Sequence, residues 1–333
     1  MSKTVTRSKV SRLELVYPPI SNQEAVWLQD DPDVQEEMRH SDFYMIAGRA
    51  EAKFTDIDCD RDNHVLRLNV RVGDSLSDSV TLHLHELPGV KDHDSYWLEV
   101  GEKLVRIWDG PVHEEGSNVL AWFTTEKLLW DKARGMPGIE GLERVHELAT
   151  YDLLYVGIAK KGDSFDRLIA RGHKARMDIL ANEPQRYPGA RVTDEIYLFM
   201  FRVNPLVIQT FNPDHDFSED DFAPDIDRKR IVADAEKAFV SLLQPEYNVV
   251  KFANYPKGID SLFGGSYDRY GYLIDETIAL NTAHGRIKGA HDLRGSISND
   301  ADFIMVEGEK VSFFVSGVDF PAIAGGSQEK AGP

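Results

Sequence analysis

The sequence predicts a multidomain protein of the α/β (α+β) class, in which β-rich modules flank a mixed middle segment. With 333 residues and 42% hydrophobic content, the chain can bury more than one core. Apolar and polar residues alternate over 66–72 and 80–84, as in half-buried antiparallel strands. Strand and helix patterns alternate between 118 and 258. We therefore expect domains at residues 1–117, 118–258 and 259–333.

In the first segment, further short strands are predicted at 96–100 and 104–108, so a small sandwich or barrel is expected there. The middle segment carries strand patterns at 119–124, 151–159 and 195–203 and helix patterns at 141–148, 165–180 and 228–243. Gly172 offers a bending point in the second helix, and Pro245 ends the third. Strand patterns return at 271–280, 303–306 and 311–315.

The charge balance limits where a phosphate ligand can bind. The chain has 38 Lys+Arg against 56 Asp+Glu and a net charge of −18, so phosphate-bearing partners should be repelled overall. The middle segment is the least acidic part. The longest apolar runs are too short to span a bilayer, the N-terminus lacks the apolar core of a secretory signal, and Cys59 is the single cysteine. These features predict a cytoplasmic protein without a membrane partner.

The stretch from Tyr151 to His173 places reactive side chains directly after a short strand. With period two, Tyr151 and Tyr155 lie on one face of that strand, and Gly157 allows close backbone approach. A basic patch follows, consisting of Lys160, Lys161, Arg167, Arg171, Lys174 and Arg176, opposed by Asp163 and Asp166. We expect this patch to bind the phosphates of a nucleic acid.

Glu236 is a carboxylate among apolar side chains of the predicted helix 228–243. It shares a helical row with Val232, Val240 and Leu243. A carboxylate removed from water needs a cation, hydrogen bonds or a metal, unless it reaches solvent at the edge of the apolar stripe. Both interpretations of Glu236 remain open on spacing alone.

These residues together resemble the GIY-YIG nuclease family. The features that match the family's motifs, in the family's order, are Tyr155-Val156-Gly157, Arg167, His173, Glu236 and Asn248. The resemblance covers roughly residues 118–255 and implies a three-stranded sheet with helices. It leaves both flanking segments unexplained.

Two features depart from the family's pattern. The first motif, Gly-Ile-Tyr shortly before the second strand, is missing; the nearest strand, 120–124, is separated by a long insert. Tyr151 is our candidate for the missing tyrosine because it shares a face with Tyr155. The spacing from Arg167 to His173 is two residues longer than usual, which places His173 outside the site unless Gly172 breaks the helix.

The resemblance implies a metal-dependent endonuclease that hydrolyses phosphodiester bonds of nucleic acid, DNA rather than RNA, with Mg²⁺ or Mn²⁺ as cofactor. It implies that Glu236 binds the metal, Arg167 donates to the phosphate, Tyr155 positions the water, His173 assists proton transfer and Asn248 supports the site. Lys257, in a turn at 254–258, is a further candidate for a backbone contact. Whether the chain forms a homo-oligomer is left open.

Two other functions compete with the nuclease. A catalytically degenerate copy of the same fold could bind nucleic acid or protein as a scaffold, which the missing first tyrosine favours. A β-rich sugar- or peptide-binding protein with an accidental motif is the third hypothesis, which the acidic charge favours. Retention of Arg167, Glu236 and Asn248 favours the enzyme.

Overall fold

The computed structural model describes residues 5–160, 162–170, 172–217, 227–291, 298 and 301–316. The strands are β1 Val5–Leu15, β2 Ile20–Ser21, β3 Phe43–Gly48, β4 Ala52–Asp60, β5 Val65–Val72, β6 Leu76–His83, β7 Trp97–Val100, β8 Val105–Trp108, β9 Val119–Phe123, β10 Ile139–Gly141, β11 Thr150–Ile158, β12 Ile196–Phe211, β13 Arg269–Ile274, β14 Ala279–Thr282, β15 Gly285–Lys288, β16 Phe303–Glu307 and β17 Lys310–Phe314. The α-helices are α1 Asn22–Leu28, α2 Pro32–Arg39, α3 Thr125–Ala133, α4 Val145–Leu148, α5 Lys174–Asn182, α6 Val192–Glu195 and α7 Arg228–Leu243.

The strands form three sheets. The largest has ten strands in the order β15-β14-β11-β3-β12-β1-β13-β16-β17, with β2 paired to β12. A four-stranded sheet has the order β10-β6-β5-β4, and a three-stranded sheet the order β7-β8-β9. The mixed α+β class is thus confirmed, and the main sheet has ten strands where three were expected. The expected boundary at 117 falls between β8 and β9, neighbouring strands of the three-stranded sheet, and the boundary at 258 falls between β12 and β13, both in the ten-stranded sheet.

The interior strand β3 separates two hydrophobic cores. It pairs antiparallel with β11 on one side and β12 on the other, and all six of its residues are buried. Phe43, Met45 and Ala47 face the first core, and Tyr44 and Ile46 face the second. Because both faces are covered, the strand is an unbroken apolar run rather than an alternating one.

Helix α7 packs on the first-core face of this sheet. Phe239 meets Phe43 edge to face, with ring centroids 5.7 Å apart. Asp227 caps the helix by accepting a hydrogen bond from the Arg230 N–H at 3.1 Å. The helix ends at Gln244 in the left-handed conformation, directly before Pro245. These signals are local, and the expected helix 228–243 is confirmed.

Candidate active site

The pairing of β3 with β11 brings a tyrosine from the N-terminal part of the chain to Tyr155. Tyr44 lies opposite Gly157 in the antiparallel register. A Cβ added at Gly157 would lie 2.7 Å from the Tyr44 hydroxyl oxygen and 2.7 Å from Cε1 of Tyr155. Glycine is therefore required for the two rings to pack over this position, where they stack with centroids 6.1 Å apart.

A β-bulge in β11 places Tyr151 and Tyr155 on opposite faces of the sheet. The register shifts between Leu153 and Tyr155, so the residue between them is unpaired and the side-chain alternation is reset. Tyr151 faces the first core, where its hydroxyl accepts a hydrogen bond from Arg49 Nη1 at 3.0 Å. The expectation that both phenols share a face is therefore wrong, and Tyr151 does not lie beside Tyr155.

Two donors converge on the Tyr44 hydroxyl oxygen. Arg167 Nε donates to it at 2.8 Å, and His173 Nε2 lies 3.1 Å from it. The His173 ring meets the rings of Tyr44 and Tyr155 edge to face, with centroids 5.6 and 5.2 Å apart. Three aromatic rings and one guanidinium thus form a single cluster on the second-core face.

His173 enters this cluster because the helix is broken in front of it. Arg167 lies in a π-helical turn, Asp166–Ala170, and Gly172 has a positive φ of 71° before α5 starts at Lys174. His173 caps α5, with its Nδ1 accepting from the Arg176 N–H at 3.4 Å. Burial, together with Arg167 and Arg176, lowers the pKa of His173 to about 4. At neutral pH the ring is therefore uncharged, and with Nδ1 an acceptor it donates from Nε2 to Tyr44.

The two tyrosine hydroxyls differ in their surroundings. Burial raises the pKa of Tyr44, and the nearby Tyr155 adds to this effect. Burial and the carboxylate of Glu236 raise the pKa of Tyr155, whereas Arg167 and hydrogen bonds from Tyr44 and Arg167 lower it. Tyr44 and Arg167 therefore both act on the Tyr155 hydroxyl.

Glu236 approaches the same cluster from α7. Its carboxylate is half-buried, and burial raises its pKa, whereas Lys160, Arg167 and Lys237 lower it. Among the described residues, none forms a hydrogen bond or an ion pair within 4 Å with this carboxylate. Its oxygens are therefore available to a ligand.

Asn248 supports the site through the edge of β11. Its Oδ1 accepts from the Val156 N–H at 2.9 Å, and its Nδ2 donates to the Val156 carbonyl at 2.8 Å. The Tyr247 N–H donates to the Leu154 carbonyl at the bulge, at 3.1 Å. This segment satisfies the backbone of an edge that none of the described strands covers at that point, and it fixes the strand bearing Tyr155 and Gly157.

The predicted phosphate contacts fall in different places. Lys160 and Lys174 are exposed near the cluster, whereas Lys161 and Arg171 lie outside the described residues. Arg176 is buried, with Nη1 donating to the Leu168 carbonyl at 2.8 Å and Nε donating to Asn22. The assignment of Arg176 to nucleic-acid binding is therefore wrong, because its donors hold α1 and the π-helical turn together.

Lys257 lies far from the other candidates. It forms an ion pair with Glu309 at 2.8 Å, in the turn between β16 and β17. In the large sheet, β16 is five strand positions from β11. Lys257 therefore does not belong to the basic surface beside Tyr155.

Two residues of this region were missed by the sequence analysis. Tyr44 is the first, because its strand lies far upstream of Tyr155, whereas the family's first motif is expected shortly before the second. Its signal was a phenol inside the apolar run 43–47. Arg39 is the second: it pairs with Asp163 at 2.8 Å and Asp166 at 3.2 Å, and its charge offsets one of the two carboxylates that opposed the basic patch.

Comparisons of the chain with family models, with curated proteins and with solved structures gave no match. Within the described ranges, no group of three or more His, Cys, Asp or Glu side chains is arranged to hold a metal ion. None of the helices described there has both the length and the apolar character needed to cross a membrane.

Proposed function

We propose that this chain is a metal-dependent endonuclease that hydrolyses phosphodiester bonds of nucleic acid, with DNA as its substrate. The observation that carries the proposal is the convergence of Tyr44, Tyr155, Arg167 and Glu236, which come from four separate elements. Tyr44 supplies the phenol that the GIY-YIG resemblance lacked, on a strand paired antiparallel with the one bearing Tyr155-Val156-Gly157. This arrangement favours the nuclease over an accidental motif.

The side chains present can perform the steps that do not involve a metal. Arg167 donates its Nε–H to Tyr44 and also acts on Tyr155 through a hydrogen bond, and a guanidinium has five N–H groups, so donors remain for the non-bridging oxygens of a phosphate. Tyr155 would accept a hydrogen bond from the attacking water and orient it towards phosphorus. Neutral His173 and Arg167 fix the Tyr44 hydroxyl, which directs its own proton towards Tyr155. Attack forms the new P–O bond and breaks the bond to the leaving oxygen; the Tyr155 hydroxyl would relay one proton of the water to solvent, and the leaving oxygen would take up a proton from solvent.

The residues fit a divalent cation held by Glu236. Mg²⁺ is commonly bound through one or two carboxylates, waters and the substrate's phosphate, so one available carboxylate beside a phosphate-binding arginine suffices. The Glu236 oxygens lack a direct partner in the described part of the chain, so they are available to ligate a cation. When bound, the cation would supply Lewis acidity to the phosphate and charge stabilisation to the leaving oxygen.

The test is cleavage of plasmid and oligonucleotide DNA in the presence of Mg²⁺ or Mn²⁺, with RNA in parallel. Glu236→Gln should keep the fold and reduce cleavage below detection. Tyr44→Phe should lower the rate by about 100- to 10,000-fold, because it removes a proton-transfer group while keeping the ring. The matched controls are Glu246→Gln, an exposed carboxylate after α7, and Tyr151→Phe on the opposite face. Both should cleave at close to the wild-type rate.

Two outcomes would contradict the proposal. Cleavage at the wild-type rate by Glu236→Gln would mean that any metal binds elsewhere and that the proposed active site is wrong. DNA binding without cleavage under either metal would favour the degenerate scaffold. The cytoplasmic location stays a prediction.

A further inference from the structure

A cavity of about 1020 Å³ lies between helices α1 and α2 on one side and strands β8 and β9 with helix α3 on the other. Its aromatic lining is formed by Tyr17, Trp27, Trp108, Trp122, Trp130 and Tyr197. Four of the five tryptophans of the chain thus line this cavity. None of the residues of the candidate active site lines this cavity.

The cavity is acidic as well as aromatic. Seven carboxylates and three cations line it. The cations are already engaged: Lys103 pairs with Glu51 and Asp194, Arg106 with Glu99, and Lys127 with Asp131. In the described part of the chain, Glu24, Asp33 and Glu37 have no cation within ion-pair distance. The negative charge of the lining is therefore not compensated by the protein.

The lining also contains polar atoms without partners. Within the described residues, no group makes a hydrogen bond to the buried hydroxyl of Tyr17 or the buried Nε1 of Trp130. Tyr17 and Trp122 lie nearly parallel, with centroids 6.4 Å apart and planes inclined by 30°. Lys127 Nζ lies 5.2 Å from the centre of the Trp122 ring, so this wall already attracts a cation of the protein itself.

We propose that this cavity binds an organic cation that carries an alkylated ammonium group. Aromatic faces attract such a cation through their quadrupole, and its charge is spread over methyl groups that also gain from apolar contact. The uncompensated carboxylates supply long-range attraction, and the volume suits a small molecule or a modified side chain. A neutral flat ligand would use the aromatic walls but not the charge.

Glu24 gives the binding a characteristic pH dependence. Burial raises its pKa to about 7, and the charge of Glu126 adds to this effect. A bound cation favours the ionised carboxylate, so cation binding should strengthen as pH rises from 6 to 8. The ionisable groups that act on Glu24, directly or through its neighbours, are Glu126, Asp194, Tyr17, Tyr151, Arg49 and Lys103.

The test is to titrate the full chain with choline and, separately, with its neutral isostere 3,3-dimethylbutan-1-ol. Calorimetry and tryptophan fluorescence measure the binding of each. Choline should bind saturably and about 10-fold more tightly than the isostere. Trp27→Ala should weaken choline about 5-fold. Trp97→Ala, the exposed tryptophan outside the cavity, should leave it unchanged. Trp27 is 64% exposed, so its removal should not affect folding.

Two carboxylate variants test the charge. Glu24→Gln should remove the pH dependence while keeping its hydrogen bond to the Ser21 N–H. Glu37→Gln should weaken choline, whereas Glu36→Gln, adjacent in sequence but outside the lining, should not. Equal binding of choline and the isostere would overturn the proposal in favour of a neutral ligand. Failure of choline to bind at pH 8 would overturn it outright, whatever the outcome of the cleavage assay.

Discussion

At the scale of single residues, the fold handles buried ionisable groups in three ways. Arg49 pairs with Glu126 and also donates to the hydroxyls of Tyr151 and Tyr197, at 3.0 and 3.2 Å. Asp234 accepts four hydrogen bonds, from the hydroxyls of Tyr255, Tyr272 and Ser261 and from the Leu262 N–H. Lys9 has no hydrogen-bond partner among the described residues. Hydrogen bonds and an ion pair compensate the burial of Arg49 and Asp234, whereas burying the charged form of Lys9 costs free energy of folding.

Lys9 should make stability rise with pH. Burial lowers its pKa from 10.5 to about 7, an effect that Asp234 partly offsets, and Nζ faces the rings of Tyr267, Tyr270 and Tyr272. Between pH 7 and 10.5 the unfolded state holds a proton that the folded state lacks, so the free energy of unfolding increases over that window. The increase is at most about 5 kcal/mol, since one pKa unit corresponds to about 1.4 kcal/mol.

Lys9→Met should abolish this slope and raise the free energy of unfolding near pH 7, because the methionine can be buried without desolvating a charge. Urea denaturation at pH 7, 8 and 9 measures both effects. Lys91→Met, at an exposed position, is the control and should behave like the wild type. Equal pH slopes in the wild type and in Lys9→Met would show that Lys9 remains charged in the fold.

At the scale of elements, the sequence predicted what depends on neighbours in the chain. The helical period of the apolar residues and the helix-ending Pro245 predicted α7. Gly172 indicated the break in the helix that brings His173 to Tyr44. The faces of β11 could not be predicted, because a bulge depends on how the strand pairs with β3 and leaves no mark on the alternation. Tyr44 was missed for the same reason: the pairing of two strands that are far apart in the sequence depends on the tertiary structure.

Gly157→Ala tests the packing of the two tyrosines. The added methyl would overlap both rings, so the Tyr44 hydroxyl should move away from Arg167 and His173. We expect a loss of stability of about 1–3 kcal/mol and a fall in cleavage of about 100-fold, because displacing a catalytic group by about 1 Å has that effect. Thermal melting and single-turnover cleavage measure the two changes.

The matched control is Gly101→Ala, where the added methyl would meet only the Leu104 carbonyl oxygen, at 3.5 Å. This variant should melt and cleave much as the wild type does. Full activity in Gly157→Ala would mean that the position of Tyr44 does not matter for the reaction.

At the scale of the whole molecule, one sheet joins the segments that composition had separated. β1 and β3 come from the first segment, β11 and β12 from the second, and β13 to β17 from the last. The candidate site depends on this joining, because Tyr44 belongs to the first segment and Arg167 and Glu236 to the second. Removing residues 1–117 would therefore remove both Tyr44 and the interior strands β1 and β3 of the sheet.

With a net charge of −18, the proposed DNA substrate would have to be attracted locally, against the overall repulsion. Lys160 and Lys174 are exposed beside the candidate site, and the charge of Arg39 offsets one of the two nearby carboxylates, Asp163 and Asp166. The logarithm of the DNA-binding constant falls linearly with the logarithm of the salt concentration. If Lys160 and Lys174 each neutralise one phosphate, the slope of this line should be shallower by about 1.8 in Lys160→Ala/Lys174→Ala than in the wild type. Fluorescence anisotropy with labelled duplex DNA, without divalent cations, measures the slope.

Lys91→Ala/Lys257→Ala is the matched control, because it removes the same charge from positions away from the site. It should lower affinity slightly through the overall charge and keep the wild-type slope, since neither lysine would contact a phosphate. Arg176→Ala is unsuitable as a control, because it would break the hydrogen bonds that join α5 to α1 and to the π-helical turn rather than remove a phosphate contact. A wild-type slope in Lys160→Ala/Lys174→Ala, or a reduced slope in the control, would place the DNA on another surface of the protein.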